Sequence, residues 1–291
     1  MPRFRQHTGL YLMFIPVIVY FLIFLYFPLL RAFTISLQEF RMIGDRPFVG
    51  LDQYKAVLAD PFFWQALKNT LMIGAGQLAF GFVASLLAAL SLGEVLNPLF
   101  RKINQMILYL PHLFSWVIVG GIWIVLLSPD GGMINELLKL AGLGQPVHFL
   151  AEERYARWIM IGTSVWKEMG YTCIIYLAAM TLINPSLYEA ARIDGAGRLK
   201  QLLYVTLPQL VPTMKTVFVL QLLGVLRMFD QLVVMRNPAI YREVDVLMTY
   251  VYENGIQQFQ MDLASAASFL IIAATLLLTF IFSRVSKYDL S

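Results

Sequence analysis

Five charged residues fall inside long apolar segments of the sequence: Lys167, Glu168, Lys215, Arg227 and Asp230. If those segments span a membrane, each charge near a helix centre costs about 2.5–3.5 kcal/mol on insertion scales, so it needs a partner or a wet cavity. Arg227 and Asp230 are three positions apart, which puts them on one face of a continuous helix and predicts an intramembrane ion pair. Lys215 lies near a segment end, where its long stem lets the ammonium reach the interface.

Lys167 and Glu168 are sequence neighbours, so on a helix they point about 100° apart and are not expected to face each other. Lys167 shares a face with Thr163 and Tyr171, whereas Glu168 lies on a different polar face. This polar stripe is consistent with a hydrophilic path through a membrane. It is equally consistent with pairing to a neighbouring subunit, and the spacing alone does not separate the two.

The composition indicates a membrane protein. Hydrophobic residues make up 59% of the 291 residues and charged residues 14%, against about 45–50% and 25% in soluble domains. The mean hydropathy is +0.68. Runs of about 20 apolar residues, the length of one span, recur along the chain, and we predict an all-α polytopic membrane protein with six transmembrane helices. The predicted spans are 10–30, 70–92, 103–127, 158–183, 207–234 and 263–283.

A polar loop between the fourth and fifth predicted spans, residues 184–206, carries strong helix signals. Ser186 and Glu189 have the spacing of a capping box, and Pro185 suits a first helical turn. Gly195 is placed to end the helix, because glycine adopts the left-handed conformation without a Cβ clash. The loop is therefore predicted to form a short helix, a glycine turn and a second helix that enters the bilayer near Pro208.

The motifs of this loop resemble a known family. Glu189-Ala190-Ala191, Asp194-Gly195-Ala196 and Leu207-Pro208 are similar to the loop that marks the permease subunits of binding-protein-dependent ABC importers. Leu110-Pro-His-Leu-Phe-Ser-Trp116 and Met248-Thr-Tyr-Val-Tyr252 resemble the carbohydrate type (MalF- and UgpA-like), and most closely its polysaccharide-type, LplB-like branch. The resemblance implies the type I ABC importer transmembrane fold. It also implies that Glu189, Ala190, Ala191, Asp194 and Gly195 couple the chain to an ATPase.

The same resemblance implies the partners. A second permease subunit would form a heterodimer with this chain, two cytoplasmic ATP-binding subunits would supply ATP–Mg chemistry, and an external solute-binding protein would deliver a carbohydrate. The expected division is a first span with its tail and external loop (1–68), a five-helix permease core (69–283) and a cytoplasmic tail (284–291). The chain itself is expected to bind no cofactor, no metal and no nucleic acid.

The distribution of basic residues predicts the orientation. Placing both termini and the loops 93–102 and 184–206 in the cytoplasm gives nine basic residues in about 50 positions, against ten in about 100 on the other side. This density favours an orientation with both termini in the cytoplasm, and the resemblance implies that the membrane is the bacterial cytoplasmic one. This orientation agrees with the cytoplasmic location that the resemblance implies for the loop.

Several aromatic and polar side chains within the predicted spans are candidates for a sugar path. Flat aromatic faces cover the C–H face of a sugar ring, and polar groups bind its hydroxyls; packing inside the membrane is the alternative for each residue. The candidates are Trp116, Trp166, Lys167, Glu168, Tyr171 and Gln221, with His112 beside them.

The sequence contains no Gly-x-x-x-x-Gly-Lys-[Ser/Thr] phosphate loop, so ATP hydrolysis is expected in a partner and the chain is not expected to be an enzyme. Its single cysteine, Cys173, and its three scattered histidines form no metal motif. The alternative function is a secondary sugar transporter driven by an ion gradient. Such folds usually show internal repeats, which this sequence lacks, and they leave the Glu189 loop unexplained.

Overall fold

The computed structural model describes residues 8–142 and 145–285, and this part of the chain is almost entirely helical. Over these residues it contains no β-strand, only one isolated antiparallel bridge between Gln38 and Phe48. The predicted terminal tail segments 1–7 and 286–291 lie outside the described residues.

The helices follow the chain with short connections. They are α1 (Thr8–Phe21), α2 (Phe27–Ser36), α3 (Asp52–Ala59), α4 (Pro61–Gly93), α5 (Pro98–Leu113), α6 (Trp116–Leu126), α7 (Met133–Leu140), α8 (Glu153–Thr181), α9 (Pro185–Ile193), α10 (Arg198–Gln201), α11 (Leu207–Val225), α12 (Asp230–Met235), α13 (Tyr241–Val244), α14 (Leu247–Tyr252) and α15 (Met261–Val285).

Among the described residues, four continuous helices are long and apolar enough to cross a membrane: Leu12–Ser36, Pro61–Gly93, Arg198–Val225 and Met261–Phe282. Two further candidates are bent pairs, α5 with α6 at 101° and α8 with α9 at 71°. Counting each pair as one span gives six, in agreement with the predicted fold class. The predicted third span, 103–127, is wrong as a continuous helix, because α5 ends at Leu113 and α6 begins at Trp116.

Two π-helical turns each end two residues before a proline. One covers Leu22–Tyr26 and precedes Pro28, and the other covers Leu202–Thr206 and precedes Pro208. A proline ring clashes with the carbonyl four residues earlier and leaves it without its helical donor. A wider π turn relieves that clash while the helix continues. This is how α1 joins α2, and α10 joins α11, as single spans.

The chain divides into two compact units. The first contains residues up to 63 together with 250–273. Its polar centre is the buried Asp262, whose carboxylate accepts hydrogen bonds from the Phe40 backbone N–H at 3.0 Å and the Gln53 amide at 2.8 Å. Burial raises the pKa of Tyr250, and the 2.7 Å hydrogen bond that this phenol donates to Asp60 raises it further.

The second unit contains residues 64–249 and 274–291. One apolar core packs α8 against α12 and α13 through Met160, Leu232 and Val244. Another joins α4, α8 and α11 around the fully buried Tyr176. These cores hold α8 in place, and α8 carries Lys167, Glu168 and Tyr171.

Candidate functional site

The helix α9 forms where the loop signals predict it, although a different residue caps its start. The Asn184 side chain accepts a 3.0 Å hydrogen bond from the Ser186 N–H, with Pro185 in the first turn. Ser186 is therefore inside the helix rather than its cap, and the predicted capping box with Glu189 is wrong. With Asn184 as the cap, the third helical position, where a capping box needs its Glu or Gln, is Leu187, and Glu189 lies two residues further along the helix.

The end of α9 is a glycine turn. The Ala196 N–H donates to the Ala191 carbonyl at 2.8 Å, and the Gly195 N–H donates to the Arg192 carbonyl at 3.0 Å. These two hydrogen bonds are the pair that defines a Schellman motif. Gly195 has φ +76°, a left-handed conformation that side-chain-bearing residues rarely adopt. Gly195 thus turns the chain sharply toward α10, as the sequence predicts.

The two faces of α9 differ. On one face, the Tyr188 hydroxyl lies 3.0 Å from the Thr206 hydroxyl and ties α9 to the start of the following span. On the other, Glu189 and Asp194 are exposed, and Ile193 is 87% exposed. Ala190 is exposed and Ala191 is half-buried. The outward face is therefore a small, partly apolar surface on a helix that is fixed at both ends.

A polar cluster within the membrane-spanning region joins α5 to α8. Glu168 contacts the His112 Nδ1 at 2.7 Å through one oxygen and the Lys167 Nζ at 3.1 Å through the other. Lys167 also donates to the His112 backbone carbonyl at 3.0 Å. The expectation that Lys167 and Glu168 do not meet is wrong, because both side chains extend toward the end of α5 and converge on His112.

The position of His112 explains the convergence. The last carbonyls of a helix have no intrahelical donor, and His112 lies in the last turn of α5. The Lys167 ammonium supplies that donor from another helix, and a cation there also interacts favourably with the helix dipole. Lys167 is 6% exposed whereas Glu168 is 41% exposed. In this cluster the Glu168 carboxylate is therefore accessible from outside, and the Lys167 ammonium that pairs with it is buried.

Aromatic rings surround this cluster. The Tyr171 ring stacks on His112 with centroids 4.6 Å apart and planes 14° from parallel. The Lys167 ammonium lies 5.3 Å from the Trp116 ring centre, a cation–π contact. Trp166 points elsewhere and packs edge-on against Trp123 at 5.6 Å. Four of the six predicted path candidates thus meet around His112, and Trp166 does not.

Gly170 permits the close approach of α5 and α8 that the cluster requires. A Cβ at this position would lie 1.9 Å from the Leu108 carbonyl oxygen and 2.8 Å from the Tyr109 nitrogen. Small residues allow membrane helices to approach at backbone contact distance. Gly170 is three residues from Lys167. Its close contact with the α5 backbone therefore sets the position along α5 that the Lys167 and Glu168 side chains reach.

Gln221, the sixth candidate, lines a cavity of about 180 Å³ together with Glu168. The Gln77 side chain also lines it and donates to Gln231 at 3.0 Å, and Gln231 in turn donates to the Thr163 hydroxyl at 2.6 Å. Gln77 and Gln231 are not among the residues predicted from the sequence. Their signal was a lone glutamine amide within an apolar segment, which inside a membrane needs a hydrogen-bonding partner.

The predicted ion pair between Arg227 and Asp230 does not form; over the described residues neither side chain makes an ion pair. The predicted span 207–234 is interrupted, because α11 ends at Val225 and α12 begins at Asp230. The two residues therefore do not share one helix face, and both are exposed. Within the described part of the chain, no three His, Cys, Asp or Glu residues are grouped as metal ligands would be.

Comparisons with known proteins agree with the predicted family. The family described as "binding-protein-dependent transport system inner membrane component" matches residues 81–288. The polygalacturonan/rhamnogalacturonan transport system permease protein YteP of Bacillus subtilis (strain 168) is 37% identical over 97% of this chain and 88% of its own length. Protein LplB of the same organism is 33% identical over 99% of this chain and 91% of its own.

A solved structure extends the similarity to the whole fold. It is a chain of the bacterial alginate ABC transporter, crystallised in complex with its alginate pentasaccharide-bound periplasmic protein. The two chains superpose with a TM-score of 0.91 at 36% identity, covering 98% of this chain and 96% of the other. The predicted type I ABC importer fold is thereby confirmed. The chain belongs to the family of inner-membrane permease components of binding-protein-dependent ABC transport systems.

Proposed function

We propose that this chain is one of two permease subunits of an ATP-driven importer that carries oligosaccharides derived from acidic polysaccharides. The observation that carries the coupling part of the proposal is the exposed outer face of α9, with Glu189 and Ile193 one helical turn apart. The relatives named for polygalacturonan and rhamnogalacturonan and for alginate support the substrate class.

The outer face of α9 fits a cleft in a cytoplasmic ATPase. Burying an isoleucine side chain on docking contributes about 1.5–3 kcal/mol. A charge-assisted hydrogen bond from Glu189 to a basic residue of the ATPase adds about 1.5–3 kcal/mol if the pair is buried. The Asn184 cap, the Gly195 turn and the bond from Tyr188 to Thr206 hold α9 rigidly. Movement of the ATPases would therefore pass to the spans, which alternate access to the two sides.

The cluster around His112 is the proposed contact for the sugar. Tyr171 and the half-buried Trp116 offer aromatic faces, and Glu168 offers hydrogen-bond acceptors for hydroxyl groups. Arg227 is the proposed partner of a uronate carboxylate. It is an exposed cation that makes no ion pair with any described residue, and a guanidinium binds a carboxylate with two parallel hydrogen bonds.

The proposed assembly follows the resemblance. A sibling permease completes the pathway, two ATP-binding subunits hold ATP–Mg, and an external solute-binding protein delivers the sugar. Both termini and the α9 loop lie on the cytoplasmic side in this proposal. The supporting observation is the density of basic residues in those segments.

Uptake into proteoliposomes tests the proposal. The complex is purified through this chain and reconstituted with the binding protein outside, and uptake of labelled trigalacturonate is compared with that of neutral maltotriose. We expect uptake of trigalacturonate only with ATP inside. Uptake that proceeds without ATP and stops with an ionophore would instead support the ion-gradient alternative.

A variant pair tests the role of Arg227. We expect Arg227→Gln to reduce trigalacturonate uptake about tenfold or more, as expected for loss of one charge-assisted contact. Lys139→Gln removes a positive charge at an exposed site elsewhere and should leave uptake unchanged. Equal effects of the two variants would contradict a specific carboxylate contact.

A further inference from the structure

A cavity of about 770 Å³ lies behind α9, on the side that carries Tyr188 and Arg192. The ends of four long helical segments line it: Gly93 at the end of α4, Arg101 in the first turn of α5, Thr181 at the end of α8, and the stretch that begins at Arg198. We call it the interfacial cavity. Because the ends of spans meet there, it lies at the level of the membrane surface rather than in the hydrocarbon.

The interfacial cavity is strongly basic. Arg101, Arg192 and Arg198 line it, with Glu94 as its one acidic lining residue. The Nε of Arg101 is buried and has no hydrogen-bond partner within the described residues. Neither Arg192 nor Arg198 makes an ion pair or side-chain hydrogen bond with any described residue. Among the described residues, three guanidinium groups therefore line one space, and Glu94 is the only acidic residue that lines it with them.

A buried donor without a partner carries a desolvation cost that a bound acceptor removes. Guanidinium groups match phosphate oxygens in geometry and bind them with paired hydrogen bonds. A volume of about 770 Å³ falls in the range of about 300–1,000 Å³ typical of small-molecule sites. The chemistry of the interfacial cavity thus selects a phosphate-bearing anion.

The surroundings of the cavity indicate where that anion comes from. Leu96, itself a lining residue, is 90% exposed, and three further exposed apolar or aromatic residues lie within two sequence positions of lining residues: Leu99, Phe100 and Tyr204. An apolar rim at the membrane surface suits acyl chains, whereas a site for a soluble anion would have a polar rim. Basic pockets between span ends are known to hold anionic lipid head groups. We propose that the interfacial cavity binds the head-group phosphate of an anionic phospholipid.

The bound lipid would link the loop to the rest of the permease. Arg192 belongs to α9, Arg101 belongs to α5, and Arg198 begins the span after the glycine turn. One phosphate shared by these residues would join all three segments, whereas the hydrogen bond between Tyr188 and Thr206 joins only α9 and the span after it. The membrane's anionic lipid would therefore stabilise the position of α9, independently of which ATPase or sugar the chain serves.

The test is a lipid titration of the purified full-length chain in detergent, with the thermal unfolding midpoint as the readout. The probes are phosphatidylglycerol, phosphatidylcholine and inorganic phosphate. We expect phosphatidylglycerol to raise the midpoint saturably and the other two to have little effect. A shift from inorganic phosphate equal to that from phosphatidylglycerol would overturn the lipid as the source, and equal shifts from both lipids would overturn the anion site.

Variants make the test specific. We expect Arg101→Gln to weaken the apparent affinity for phosphatidylglycerol about tenfold or more. Lys102→Gln is the matched control, because Lys102 is the exposed sequence neighbour of Arg101 at the same membrane level and does not line the cavity. This control should change the affinity for phosphatidylglycerol less than twofold, as expected for the small contribution of one exposed charge. Should Arg101→Gln fail to fold, Arg198→Gln replaces it, because Arg198 is exposed. Affinity unchanged in the folded arginine variant, or reduced equally in Lys102→Gln, would overturn the proposal.

Discussion

Gly170 provides the sharpest test of how the His112 cluster is built. In Gly170→Ala the new methyl carbon would lie 1.9 Å from the Leu108 carbonyl oxygen, whereas such carbon–oxygen contacts are normally about 3.3 Å or longer. Helices α5 and α8 must then separate by roughly 1.4 Å. The atoms in the way are backbone atoms, so a change of side-chain rotamer cannot relieve the clash.

That separation would also open the cluster. The 2.7 Å contact between Glu168 and His112 would lengthen to about 4 Å, beyond hydrogen-bond range. Overpacking costs about 1–3 kcal/mol, and losing a charge-assisted hydrogen bond adds about 1.5–3 kcal/mol. By the scaling of soluble proteins of this size, about 2–4 °C per kcal/mol, the melting temperature should fall by about 5 °C or more.

The assay is thermal unfolding of the purified chain in detergent, with Gly162→Ala as the matched control. Gly162 lies on the same helix α8, and a Cβ there would meet nothing within 4 Å. Because alanine favours a helix interior over glycine by about 0.5–1 kcal/mol, the control should melt at the same temperature or slightly higher. Equal melting of Gly170→Ala and Gly162→Ala would refute the proposed role of the close helix contact.

Three further outcomes are expected. Gly195→Val places a β-branched residue at φ +76°, a strain of about 1–2 kcal/mol, and the variant should hydrolyse ATP without transporting the sugar. The control Gly197→Ala has a negative φ and open space for the new methyl group, so it should transport normally. Normal transport by both variants would count against α9 as a rigid lever. Glu168→Gln should destabilise the chain by about 1–3 kcal/mol in a melting assay, because the buried Lys167 ammonium loses its carboxylate partner but keeps the His112 carbonyl, and Glu168 is itself 41% exposed. Adding Lys167→Met should recover part of this loss, and no recovery would argue against the pair. Tyr188→Phe removes the 3.0 Å hydrogen bond to Thr206, which contributes about 0.5–1.5 kcal/mol, so the backbone amides of α9 should exchange hydrogen faster. Unchanged exchange rates would show that this hydrogen bond does not hold α9 in place.

The sequence predicts local features better than contacts between helices. The helix α9 and its turn at Gly195 depend on signals within about ten residues, and both were predictable. The capping residue was not, because Asn184, Ser186 and their neighbours all suit a helix start and only the geometry selects one. The family was predictable from the Glu189 loop, because its motif is long and its spacing is specific.

The His112 cluster was predictable only residue by residue. Trp116, Lys167 and Tyr171 were identified individually as polar or aromatic residues in apolar segments, but their meeting depends on the packing of α5 against α8. That packing requires Gly170, whose importance appears only when the opposing backbone is known. A prediction of one continuous helix likewise misses the breaks after Leu113 and Val225, since apolar residues continue on both sides of each break.

Site-specific photo-crosslinking from Ile193 tests whether the outer face of α9 contacts an ATP-binding subunit. Ile193 is 87% exposed on the outer face of α9, and Ile43, which is 92% exposed in the loop predicted to lie on the opposite side of the membrane, serves as the control. A photoreactive amino acid is placed at each position in cells that express the native partners, and crosslinked proteins are identified by mass spectrometry. We expect an ATP-binding subunit to be crosslinked from position 193 and none from position 43. An ATP-binding subunit captured from position 43, or from neither position in an assembled complex, would contradict it.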